Sequence, residues 1–153
     1  MFQLLQQQGK TISIAESCTG GLIANRITNI AGASEVFTHG FVSYSNAAKQ
    51  QLLNVNAATL EQHGAVSEAT AIEMAVGALA EAKADIAISV TGIAGPGGGT
   101  DEKPVGTVWI GIATANNSMA LKKFTPYGRE IFKQATSQDA LNLARRSLEQ
   151  GRD

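Results

Sequence analysis

Apolar and polar positions change period several times along the chain, and each change marks an element. Thr11 to Ala15 (TISIA) alternates apolar and polar residues as a strand does, and Ile23, Ile27 and Ile30 then recur at the spacing of one helix face. Between them lies Glu16-Ser17-Cys18-Thr19-Gly20-Gly21, so this part reads as strand, tight turn, helix. Val36 to Tyr44, rich in β-branched and aromatic residues, predicts a second strand, and the polar run Ser45 to Gln51 opens a short helix after it. Ser67 is a good N-cap with Glu68 in the first turn, and the alanine-rich helix it starts places Ile72, Ala75, Val76 and Leu79 on one face. Ile86 to Val90 predicts a short buried strand. Thr91 to Gly99, with five glycines and a proline in nine residues, predicts a loop. Gly106 to Ala115 and Ala120 to Phe124 read as a hairpin turning at Asn116-Asn117-Ser118, and Leu141, Ala144 and Leu148 mark a closing helix. Helices alternating with strands early and a hairpin late define an α/β fold, a three-layer α/β/α domain with a mixed β-sheet.

Composition narrows the function classes. At 153 residues and 44% hydrophobic content, with no repeat and no linker, residues 1–153 are expected to form one domain around one core. The 12 Lys and Arg residues nearly balance 13 Asp and Glu, without a like-charge run, which argues against nucleic acid or an acidic membrane surface as the main partner. No apolar stretch approaches the roughly 20 residues of a spanning helix. The segment Met1 to Lys10 is too rich in glutamine for a signal peptide, so a cytoplasmic protein is expected. A single cysteine, Cys18, excludes an internal disulfide, and His39 and His63 show no metal-ligand spacing with it. The small, rather apolar domain suits a homodimer.

The turn at Ser17 ends a strand and points backbone N–H groups at anything bound there, so a nucleophile at this place meets its own oxyanion donors. Ser17 and Thr19 can equally be helix caps, and the motif alone leaves both readings open. Cys18 is a rival nucleophile, although a lone cysteine near a buried turn more often only packs. A serine needs a base, and neither His39 nor His63 has an acidic residue at a telling offset. Lysine is the other route: Tyr44 and Lys49 flank Ser45-Asn46 at the end of the second strand, and strand ends of a layered sheet can lie side by side. Lys49 serves as a base only if burial or neighbouring charge lowers its pKa, and otherwise is an ordinary exposed helix lysine. The glycine-rich loop Thr91 to Gly99 resembles phosphate-binding loops in composition but has neither of the common glycine fingerprints. It either lets backbone approach a ligand closely or is a surface loop. Arg129 and Lys133 share one helix face at i and i+4 and are the best-placed cations for a phosphate.

In order along the chain stand Ala15-Glu16-Ser17-Cys18-Thr19-Gly20-Gly21, Phe41-Val42-Ser43-Tyr44-Ser45-Asn46 with Lys49, and His63-Gly64-Ala65-Val66-Ser67-Glu68. After them come Thr91-Gly92-Ile93-Ala94-Gly95-Pro96 and Lys103-Pro104-Val105-Gly106-Thr107-Val108. Together these blocks resemble the CinA C-terminal-domain family, also known as nicotinamide-nucleotide amidohydrolases, from about Thr11 to Leu148. The resemblance implies deamidation of nicotinamide mononucleotide to nicotinic acid mononucleotide and ammonia, a salvage step of pyridine nucleotide recycling, without metal or organic cofactor. It implies Ser17 as nucleophile, Lys49 as general base and Tyr44 as proton relay. Candidate substrate contacts are Cys18, Thr19, Gly20, Ser45, Asn46, Gly92, Ile93, Ala94, Gly95, Arg129 and Lys133. A second reading keeps the fold but makes the chain a non-catalytic or differently specific nucleotide-binding paralogue. The chain departs from the family pattern in a short first helix, Phe2 to Gln8, and in Lys133 where relatives look to carry arginine. It also lacks the larger N-terminal domain of two-domain relatives, so no pyrophosphatase activity is expected.

Overall fold

The computed structural model describes residues 1–151. Strands β1 (Ile12–Glu16), β2 (Phe37–Val42), β3 (Ile86–Gly92), β4 (Thr107–Thr114) and β5 (Ser118–Phe124) form one sheet in the order β2-β1-β3-β4-β5. β1 pairs in parallel with both β2 and β3, whereas β3–β4 and β4–β5 are antiparallel, so the sheet is mixed as the hairpin signal predicts. Helices α1 (Phe2–Gln8), α2 (Leu22–Thr28) and α6 (Arg129–Glu149) cover one face. Helices α3 (Asn46–Leu53), α4 (Ala57–His63) and α5 (Glu68–Ala82) cover the other. Among the described residues no helix is long and apolar enough to cross a membrane.

All five residues of β1 are buried, because the strand is central and both its faces meet helices. Its sequence alternation therefore separates two kinds of interior. Ile12 and Ile14 join Ile88 and Ile110 beneath Phe132, Ala140 and Ala144 of α6. On the other face the Ser13 hydroxyl donates to the Ala78 carbonyl at 3.0 Å, and Ser89 on β3 donates to the Ala71 carbonyl at 2.5 Å. These bonds bring α5 close to the sheet, and glycine makes the approach possible: a Cβ on Gly111 would stand 2.5 Å from the Ala71 carbonyl oxygen. A Cβ on Gly77 would stand only 1.9 Å from the Leu53 carbonyl oxygen of α3.

This close packing corrects the expected face of α5. Thr70, Ala71, Met74, Ala75, Gly77 and Ala78 are buried, while Val76 is 45% exposed and Ile72 and Leu79 only partly covered, since small residues rather than large ones meet the sheet. Ile30 lies beyond the end of α2 and is 42% exposed. β3 runs two residues past Val90 because Thr91 and Gly92 pair with Trp109 and Val108, and the hairpin turn closes before Ser118, which already belongs to β5. α4 was not foreseen.

The connection from β1 leads through α2 to β2 on one side, and the chain then crosses α3, α4 and α5 to reach β3 on the other. Such a reversal of direction leaves a crevice outside the carboxyl ends of the parallel strands. The residues following β1, β2 and β3 meet there.

Candidate active site

Ser17 directly follows β1, and its N–H donates to the Val90 carbonyl of β3 at 3.0 Å. Lys49 lies one turn into α3, which Ser45 caps by accepting from the Ala48 N–H at 3.1 Å. The lysine side chain is 1% exposed and heads the fully buried side chains by volume. Its Nζ lies 3.0 Å from Ser17 Oγ and donates to the Ser43 carbonyl at 2.9 Å. Burial lowers the Lys49 pKa below its ordinary value, with Cys18 opposing the shift weakly. A desolvated amine beside a serine hydroxyl is the arrangement that lets the amine accept the hydroxyl proton.

Cys18 is next to Ser17 and 5% exposed, and burial pushes its thiol up to about 12, helped by the nearby Glu16. At neutral pH it is a thiol rather than a nucleophilic thiolate. Tyr44 follows β2 with 59% exposure, and its hydroxyl accepts from Arg129 Nη2 at 2.8 Å. Arg129, the first residue of α6, donates through Nη1 to the Gly95 carbonyl at 3.0 Å. One guanidinium thus ties the loop after β2 to the glycine-rich loop after β3. The Tyr44 hydroxyl has no hydrogen bond to Ser17 or Lys49 in this arrangement.

A cavity of about 280 Å³ opens over the pair, lined by Ser17, Cys18, Tyr44, Asn46, Lys49, Thr91, Gly92, Ile93, Ala94, Gly95 and Arg129, among others. Several expected contacts lie elsewhere. Thr19 is fully buried with its hydroxyl on Glu16, Gly20 is exposed outside the cavity, and Ser45 is occupied as the α3 cap. Lys133 shares the helix with Arg129 but does not line the cavity. No group of three or more His, Cys, Asp or Glu side chains is placed to hold a metal ion among the described residues.

The sequence reading missed Glu16. Its side chain is 1% exposed and accepts from the Thr19 hydroxyl and from the N–H groups of Gly21, Ile23 and Ala24, at 2.5, 3.1, 3.0 and 2.8 Å. This corrects the expected oxyanion donors, because the N–H groups at the start of α2 are already taken. The readable signal was a glutamate at a strand end just before a helix whose N-cap, Gly21, has no side chain to offer.

The three-layer α/β domain thus sets a buried lysine amine against a serine hydroxyl at the switch point of its sheet. The chain belongs to the CinA C-terminal-domain family, whose match spans residues 1–148. It is 52% identical to the nicotinamide-nucleotide amidohydrolase PncC of Escherichia coli K12 over 137 residues, 88% of this chain and 83% of that protein. It is 55% identical to a CinA-like protein of Chloroherpeton thalassium over 150 residues, covering 95% of this chain. The chain spans only 36% of that longer protein. Among solved structures, the competence/damage inducible protein CihA of Agrobacterium tumefaciens superposes with a TM-score of 0.91 at 46% identity, covering 95% of this chain and 88% of that one. A CinA superfamily protein of Klebsiella pneumoniae superposes with a TM-score of 0.94 at 35% identity, covering 97% and 93%.

Proposed function

We propose that the protein is a hydrolase that removes the amide of nicotinamide mononucleotide, giving nicotinic acid mononucleotide and ammonia. The observation that carries this reading is Lys49 Nζ 3.0 Å from Ser17 Oγ inside a cavity, in a chain with a relative of that name at 52% identity. Neutral Lys49 accepts the Ser17 proton as Oγ attacks the carboxamide carbon, and main-chain N–H groups hold the oxyanion that forms. The Lys49 ammonium then gives its proton to the leaving nitrogen, ammonia departs and Ser17 is left acylated. Water, deprotonated by the same amine, attacks the acyl-enzyme and frees the acid with Ser17 restored. Tyr44 and Arg129 flank the reacting pair as one hydrogen-bonded unit, and Arg129 supplies the positive charge for the nucleotide phosphate. Lys133, outside the cavity, is left with a long-range electrostatic part only.

No cofactor enters this scheme and the partner it names is a small nucleotide; the proposal takes the protein as a one-domain homodimer acting in pyridine nucleotide salvage in the cytoplasm. Ammonia release from nicotinamide mononucleotide, nicotinamide riboside, nicotinamide and glutamine tests the reading, with turnover of the mononucleotide well above the rest as the expected result. Binding of the mononucleotide without ammonia release would instead identify a nucleotide-binding paralogue.

A further inference from the structure

The main-chain donors around Ser17 can be accounted for one by one. The Ser17 N–H is taken by the Val90 carbonyl at 3.0 Å, Gly20 by Ser17 at 3.1 Å and Leu22 by Thr19 at 3.3 Å. Gly21, Ile23 and Ala24 are taken by the Glu16 carboxylate. The N–H groups of Cys18 and Thr19 have no main-chain acceptor among the described residues; Thr19 is fully buried outside the cavity, whereas Cys18 lines it, with its N–H against its own thiol. A donor whose neighbour is only a weak sulfur acceptor is open to an oxygen from outside the fold, and that of Cys18 immediately follows the nucleophile.

We infer that Glu16 is a positioning residue for Ser17: it claims the start of α2 and the Thr19 hydroxyl, and so holds the turn in which the Cys18 N–H faces the substrate carbonyl oxygen. The inference rests on Ser17 being the nucleophile but not on the identity of the amide. A carboxylate suits the task because it only accepts, and its two oxygens here serve three N–H groups and one hydroxyl. Glutamine has the same shape but offers one oxygen and an NH₂ that meets another donor. With the anchor weakened, the turn relaxes and the Cys18 N–H leaves the position where negative charge develops.

The test compares wild type, Glu16→Gln and Thr19→Val. Each is treated with a fluorophosphonate that phosphonylates active serines, its melting curve is recorded, and ammonia release is measured. A crystal structure of the phosphonylated wild type accompanies them. The expected result for Glu16→Gln, at a temperature where it is folded, is labelling of Ser17 slowed about tenfold or more, with kcat lowered and KM little changed. Thr19→Val, which removes one donor to the carboxylate at nearly constant shape, should lose less in the same direction. In the adduct the phosphonyl oxygen should lie within hydrogen-bond reach of the Cys18 N–H. Labelling of Glu16→Gln at the wild-type rate overturns the inference, as does wild-type labelling of Thr19→Val should Glu16→Gln not fold. A phosphonyl oxygen turned toward Arg129 overturns it too. A wild type that is labelled at Ser17 but releases no ammonia from nicotinamide mononucleotide leaves the inference standing and removes the substrate reading. A wild type not labelled at Ser17 removes both.

Discussion

Gly77→Ala places one methyl group where α5 crosses the end of α3, and its cost can be worked from the contacts. The added Cβ would lie 1.9 Å from the Leu53 carbonyl oxygen, whereas ordinary contact begins at 3.4 Å, so the two helices must part by about 1.5 Å. α5 is held to the sheet by the Ser13 and Ser89 hydroxyls, which donate to its Ala78 and Ala71 carbonyls, so α3 is the element free to move. α3 carries Lys49, whose Nζ now sits 3.0 Å from Ser17 Oγ. A displacement of this size takes the amine out of reach of the hydroxyl, and misplacement by about 1 Å costs on the order of 10²-fold in rate. Helix propensity acts the other way, since alanine is better than glycine by about 1 kcal/mol in a helix interior. Overpacking costs about 1–3 kcal/mol and wins here, because the clash is with backbone rather than a flexible side chain. The expected result is a lower melting temperature and kcat reduced about 100-fold, read by ammonia release and circular dichroism. Ala80→Gly, at an exposed position of the same helix, should lose about 1 kcal/mol with kcat unchanged. Wild-type kcat together with a raised melting temperature in Gly77→Ala would refute the reasoning.

Ser17→Ala should abolish turnover while Cys18→Ser largely keeps it, because a thiol with a pKa pushed up to about 12 is protonated in the assay; loss of activity in Cys18→Ser without loss of fold would reverse the assignment. For Lys49, burial holds the folded pKa below the ordinary 10.5, so between the two values the unfolded chain keeps a proton that the native state has lost. Native stability therefore rises with pH through that window, and below the folded pKa the full cost of burying the amine is present. Lys49→Met should remove both this rise and the limb of the rate profile that ascends with pH, and parallel melting curves against pH for the two proteins would show that the lysine is not the cause. Arg129→Ala should raise KM for nicotinamide mononucleotide much more than for the riboside, which has no phosphate; equal losses on both would assign the guanidinium to holding Tyr44 and Gly95 in place.

Much of the frame was legible because the local signals agree. The alternation over Thr11 to Ala15, the glycines after Ser17 and the Ser67 cap all name their elements correctly. α4 escaped notice because Ala57–His63 offers a single buried residue, Leu60, and no periodic face. The α5 face was misread for a different reason: apolar size predicts burial only where there is room, and here the sheet presents Gly111 and Ala87 to a helix bound through its carbonyls. At the site, Ser17 and Lys49 meet because Ser17 directly follows β1 and Lys49 lies on the helix that follows β2, its parallel neighbour. The burial of Lys49 depends on the Ser17 turn and the Ser43 carbonyl being brought to it, which no local spacing encodes. The bonding of Tyr44 to Arg129 and the withdrawal of Thr19 into the turn were equally hidden, as each is decided by a partner's position rather than by sequence neighbours.

The hydrogen bond from Ser17 to Val90 has a consequence for the order in which the protein becomes competent. The nucleophile belongs to an early strand, yet its main-chain partner lies beyond α5, on β3. Pairings across so much intervening chain form slowly and after local helices, because the loop must close before any contact rewards it. During synthesis the Ser17 turn therefore leaves the ribosome long before it can be finished. A nascent chain stopped ahead of Ile86 carries the serine, the lysine and β2, but lacks the β3 carbonyl that takes the Ser17 N–H. Competence should appear abruptly with the docking of β3 and not accumulate gradually with chain length.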